Sequence, residues 1–227
     1  MNGQQQPPAD FQLQLYICQY KNKNIAGNFY TWSTILEFNR LISDPEAMTL
    51  VKLAYGEMVT KSSGGVSAYI SKNIPGAMTA LIIPTTTKTI VILASSMRKK
   101  SRSSLKQSYY LYSNQRLKEA VDKVSLPGIH NSEACGELVA YHVWSRSTMY
   151  GSGNKPNIIT WGIIEKKDPQ VLGLKPPCSE LATGGRWGCL EFVSANDIIP
   201  IAIPQAPSLE TSLPTFQVLD HPGFDPV

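Results

Sequence analysis

The feature that most constrains this chain is a spacing of cysteines. Cys135-Gly136-Glu137 forms one cluster, and Pro176-Pro177-Cys178, followed after ten residues by Cys189, forms another. Three of the four cysteines thus fall within 55 residues, with a glutamate two positions after the first. Three thiolates suit a zinc ion with one coordination position left for water. Water bound to zinc has a pKa near 7 rather than about 15.7, and a carboxylate that is not itself a ligand can move its proton. On an ideal helix Cys135 and Glu137 would lie roughly 200° apart, so both can serve one site only at a helix start. There the partly positive helix terminus also favours thiolate over thiol. Other readings of the same residues are a Cys178–Cys189 disulfide, inert buried thiols, or His130 as a ligand. His142 lies about 10 Å along a helix from Cys135, too far to share an ion or form a nucleophilic pair.

The totals set wide bounds around that site. At 227 residues, 42% hydrophobic, the chain suits a single domain with a sizeable core rather than a disordered protein. A net charge of +4 is compatible with an anionic partner. No run of eighteen apolar residues predicts a membrane span. The N-terminus, Met1 to Asp10, has no signal-peptide pattern, which points to an intracellular, cytoplasmic protein or to a fragment whose export signal lay elsewhere. Sparse, clustered cysteines suit a metal better than a disulfide framework.

Along the chain, residues 1–10 are polar and expected to be disordered, 11–203 to form one domain with its core in 50–203, and 204–227 to be a proline-rich irregular tail. Phe11–Tyr20 alternates as a strand, with a helix as the alternative. The spacing of Trp32–Ile42 predicts a helix, and Asp44-Pro45-Glu46 opens another, with Asp44 as its cap. Ala77–Pro84 and Lys88–Ala94 read as a β-hairpin, and Gln115–Val124 as a helix. Asn131 or Ser132 is expected to cap the helix carrying Cys135 and Glu137. Asn157–Ile164 reads as a strand, 166–177 as a loop, Cys178 or Ser179 as the start of a short helix, and Asp197–Ile203 as a strand. Helices alternating with strands after residue 120 predict an α/β/α three-layer sandwich with a mixed sheet.

A basic run with no acid, Arg98-Lys99-Lys100 to Lys106, is followed by Tyr109, Tyr110 and Tyr112. Such a stretch can hold phosphates and stack bases, although many such runs are only solvated loops. Trp187, inside the cysteine-flanked insertion, is the candidate for a pocket rim.

The cysteine pattern resembles that of the zinc-dependent cytidine-deaminase-like superfamily: His or Cys, any residue, then Glu on one helix, and after a strand Pro-Cys and a further Cys. Cys135-Gly136-Glu137 matches the first half, and Pro177-Cys178 with Cys189 the second, over roughly residues 50–203. A cysteine as first ligand is more similar to the toxin-type branches. The resemblance implies that Cys135, Cys178 and Cys189 bind Zn2+ and that Glu137 shuttles protons while zinc-activated hydroxide attacks the amino-bearing carbon of a nucleobase. Cytosine is favoured, in single-stranded nucleic acid or a nucleotide. The alternative is a catalytically inactive, zinc-binding interaction module of the same fold. One departure stands out: the family places two to four residues between the last two cysteines, and this chain places ten.

Overall fold

In the computed structural model of the protein, the described residues are 12–21, 28–64, 73–99, 114–124, 135–151, 154–165, 167–178, 188–207, 209–210 and 212–222. The expectations placed on residues 1–10, Lys100, Tyr109, Tyr110, His130 and Trp187, and on the side chains of Arg98 and Lys99, lie outside them. The described residues form a mixed α/β fold of one sheet and four helices.

The hairpin expected at 77–94 is the centre of that sheet. Strands β3 (Ala77–Pro84) and β4 (Thr89–Ser95) pair antiparallel from Met78↔Ser95 to Pro84↔Thr89. Both are almost continuously apolar because both faces are covered. Met78, Ala80, Ile82, Val91 and Leu93 pack on one face with Leu50, Val51, Ala54 and Met58 of helix α1 (Asp44–Ser63). Leu81, Ile83, Ile90, Ile92 and Ala94 pack on the other with Leu117 of α2 (Gln115–Asp122), Leu138 and Val139 of α3 (Gly136–Arg146), and Phe192 of α4 (Cys189–Ala195).

The remaining strands extend the hairpin on both sides. Strand β2 (Asn28–Phe38) pairs with β4, and β1 (Tyr16–Lys21) pairs with β2; β6 (Asn157–Glu165) pairs with β3, and β7 (Val171–Lys175) with β6. Two-residue β5 (Arg98–Lys99) joins β2, and β8 (Ile199–Pro200) pairs with β6 in the sheet's parallel contact. The sheet is therefore mixed, though nearly all its pairings are antiparallel.

Several expectations need correction. Trp32–Ile42 is not a helix: residues 28–38 are strand β2. It is buried on both faces, which hides the two-residue alternation, and its Tyr30, Thr31, Thr34 and Ile35 are β-formers. The cap of α1 is Ser43, not Asp44, because Ser43 and Glu46 exchange bonds in a capping box. The segment 166–177 contains β7, and the strand expected over 197–203 shortens to Ile199–Pro200. The tail is not wholly irregular. Phe216–Leu219 forms β9 against Ile35–Phe38 of β2, and Leu209, Leu213, Phe216 and Val218 pack on the core. Pro214 and Pro222 flank rather than interrupt that edge strand.

His221 follows β9 and places Nε2 2.7 Å from the Ser33 hydroxyl oxygen. Burial first, and then the Arg146 charge, hold its pKa down to about 4. The unfolded chain takes up that proton near pH 6.5, whereas the folded one resists it. Stability is therefore undiminished above pH 6.5 and falls as the pH drops towards 4. Melting temperatures measured across that window should fall less steeply for His221→Gln than for the wild type.

Candidate metal centre

The first half of the centre is set by where α3 begins. Its N-cap is Cys135, with extended φ −71° and ψ 145°, rather than Asn131 or Ser132, so the helix starts later than expected. The Cys135 carbonyl accepts the first helical bond from Val139 N–H at 3.2 Å. Because Cys135 is outside the helix and Glu137 inside its first turn, the 200° divergence of a helix interior does not apply.

Gly136, between them, lies against the sheet. A Cβ built there would stand 2.4 Å from Thr79 Oγ1, 3.0 Å from Thr79 Cβ and 3.1 Å from the Ala94 carbonyl. Only glycine lets the helix terminus approach the central hairpin this closely.

The second half comes from the end of β7 and the start of α4. Cys178 follows β7 in an irregular stretch, the short helix expected from Cys178 or Ser179 lies outside the described residues, and Cys189 is the first residue of α4. The ten intervening residues do not keep them apart, because the loop closes in a narrow neck. Leu190 N–H donates to the Cys178 carbonyl at 2.9 Å, and Gly188 N–H donates to Glu191 Oε2 at 2.6 Å. A Cβ on Gly188 would lie 2.4 Å from the Cys178 carbonyl oxygen, so this neck also requires glycine.

The result is a cluster of the Cys135, Cys178 and Cys189 sulfurs, all within 4.8 Å of one another, and all three are free thiols. The trio can hold a metal ion. A tetrahedral ion with metal–sulfur bonds of about 2.3 Å sets its sulfurs about 3.8 Å apart, so the cluster lies no more than about 1 Å from that spacing. Without a metal, mutual hydrogen bonding among the thiols, and then burial, pushes Cys135 and Cys189 well above the usual thiol range. Ion binding must therefore displace protons from them.

Glu137 is 7% exposed beside this cluster. Burial pushes its carboxyl above the usual range and the Cys178 sulfur adds to the rise. Its own backbone N–H, the Thr160 hydroxyl and the Cys189 thiol act in the opposite direction. Thr160 Oγ1 donates to Glu137 Oε1 at 3.1 Å, and Thr79 Oγ1 lies 2.8 Å from Thr160 Oγ1 across the β3–β6 register. A carboxyl whose proton affinity is raised towards neutral pH is suited to accept and return a proton.

The structure thus brings together Cys135, Glu137, Cys178 and Cys189. His142 is not with them: it lies on α3 with Nδ1 3.0 Å from Asn114 Nδ2, in a buried contact between α2 and α3 that also includes Ser145. Sequence reasoning passed over Gly136, Gly188, Thr79 and Thr160. The two threonines did leave a signal, since each is a lone hydroxyl within an otherwise apolar run, Ala77–Ile83 and Ile158–Trp161.

Two glycines offer a paired test. Gly136→Ala should destabilise the protein by about 1–3 kcal/mol, the usual cost of overpacking, because Thr79 and the Ala94 backbone must give way. Gly56→Ala, at an α1 position with nothing within 4 Å of its Cβ, should stabilise it by about 0.5–1 kcal/mol. Denaturant titration of both variants measures the difference. No family model, no curated protein and no solved structure matches this chain, so the geometry of the cluster stands without a relative beside it.

Proposed function

We propose that the protein is a zinc-dependent hydrolytic deaminase of a nucleobase, with a cytidine-deaminase-like fold. The observation that carries this reading is the trio of sulfurs within 4.8 Å with the buried Glu137 carboxyl beside it. An all-thiol donor set suits zinc among the soft and borderline metals. The order of elements supports the fold: a hairpin, a helix opening on Cys135, strand β6, the second cysteine pair, and then a strand parallel to β6.

In this reading Cys135, Cys178 and Cys189 hold the ion. Zinc supplies Lewis acidity that makes water a nucleophile near neutral pH. Glu137 would take a proton from such a water and pass it to the ring nitrogen as the water oxygen adds to the amino-bearing carbon. It would then carry the second water proton to the amino nitrogen, which would leave as ammonia as the carbonyl forms. The low exposure of Glu137 excludes bulk water, so the proton goes to substrate rather than solvent. The preference for cytosine rests on the family resemblance. Nucleic acid is favoured over a free nucleotide by the Arg98–Lys106 run and the net charge of +4.

A second reading follows from the same burial. A Glu137 carboxylate that entered the ligand set would close the site, leaving a structural zinc in an interaction module. Two experiments separate them. Elemental analysis of protein purified without chelator should find about one zinc per wild-type chain and little in Cys189→Ala. Ammonia release should then be assayed on single-stranded DNA, RNA and nucleosides. Glu137→Gln should retain zinc and lose about 10²–10⁴-fold in rate. Full activity in Glu137→Gln would eliminate the proton-shuttle role, and zinc lost with the glutamate would favour the closed structural site.

A further inference from the structure

The two threonines under Glu137 have no part yet in the chemistry. We infer that Thr160, itself braced by Thr79, is the positioning residue that keeps the Glu137 carboxylate out of the cysteine ligand set. This rests on the reading of the cysteine trio as a metal centre.

The hydrogen bonds have a defined direction. A carboxylate accepts, so Thr160 must spend its single proton on Glu137 Oε1, at 3.1 Å. The 2.8 Å contact with Thr79 is then supplied by the Thr79 hydroxyl. The resulting chain runs from Thr79 to Thr160 to Glu137. All three members are buried, at 0%, 5% and 7% exposure, where water does not substitute readily for a lost donor. The two threonines stand opposite each other on β3 and β6, so the sheet register fixes their separation. Gly136 presses on the same Thr79 and fixes the helix end from which Glu137 projects.

The carboxylate is thus tethered through Oε1 to the sheet. Among the described residues, the donor atoms that lie within 4.8 Å of one another are three sulfurs, and no Glu137 oxygen joins them. A freed carboxylate two residues from Cys135 would have the reach and the charge to become a fourth ligand. Such a ligand would fill the position that hydrolysis needs open.

Cobalt(II) reports this directly, because its visible d–d bands follow the ligand set. Wild-type protein, Thr160→Val and Thr160→Ser are loaded with Co2+ alone, and the spectra are recorded again in a Glu137→Gln background. Thr160→Val removes the hydroxyl at nearly constant volume. It should retain thiolate-to-cobalt charge transfer but displace the d–d bands, and the displacement should vanish in Glu137→Gln. Thr160→Ser should restore the wild-type spectrum. On any substrate the wild type deaminates, Thr160→Val should lower kcat by about 10–100-fold with little change in KM. Identical d–d bands in wild type and Thr160→Val would overturn the positioning role while leaving the metal centre intact. Absence of cobalt–thiolate bands in the wild type would remove the metal centre, and this inference with it.

Discussion

The close approach of the α3 N-terminus to the central hairpin is the constraint from which the rest of the centre follows. At Gly136 the helix sits where a methyl group would meet Thr79 Oγ1 at 2.4 Å. This contact places Cys135 just outside the helix and Glu137 just inside it, so that a sulfur and a carboxyl only two residues apart serve one place. It also sets the helix end over Thr79, the strand residue that supports Thr160 and, through it, the carboxylate.

That approach depends on a rigid floor. Strands β3 and β4 are buried on both faces, with α1 on one side and α2, α3 and α4 on the other. Close packing of this kind transmits displacement rather than absorbing it, so a shift in the hairpin would move the Cys135-bearing end of α3. The second half of the centre is held differently. Cys178 and Cys189 meet because the backbone closes a neck at Gly188 and Leu190, whatever the length of the loop between them. Loop length carries only a weak entropic cost, so ten residues in place of a few is compatible with the same endpoint.

The sequence made the hairpin, α1, α2 and β6 legible: unbroken apolar runs marked the strands, and the Asp44-Pro45-Glu46 start marked α1. It misled at β2, where Trp32, Ile35, Leu36 and Phe38 sit at spacings that a helix would also use. Burial on both faces removes the alternation that marks a half-exposed strand. Strand β9 was masked by its prolines, because an edge strand tolerates proline at its ends and gains its order from β2 rather than from its own propensity. In the centre, the types and spacing of Cys135, Glu137, Cys178 and Cys189 were readable. Thr79 and Thr160 stood out only as lone hydroxyls in apolar runs, and their role was not readable because it comes from the partner across the register.

The sequence by itself determined the chemistry on offer: three thiols, one nearby carboxyl, and glycines beside two of the cysteines. Those follow from side-chain identity and from positions along the chain. Tertiary structure decided that the three sulfurs meet within 4.8 Å and that the carboxyl faces Thr160 from a buried site. These are contacts between residues from 11 to 54 positions apart along the chain. Local propensity does not specify such pairings, and here they are set by sheet register and by the packing of a helix end against a strand.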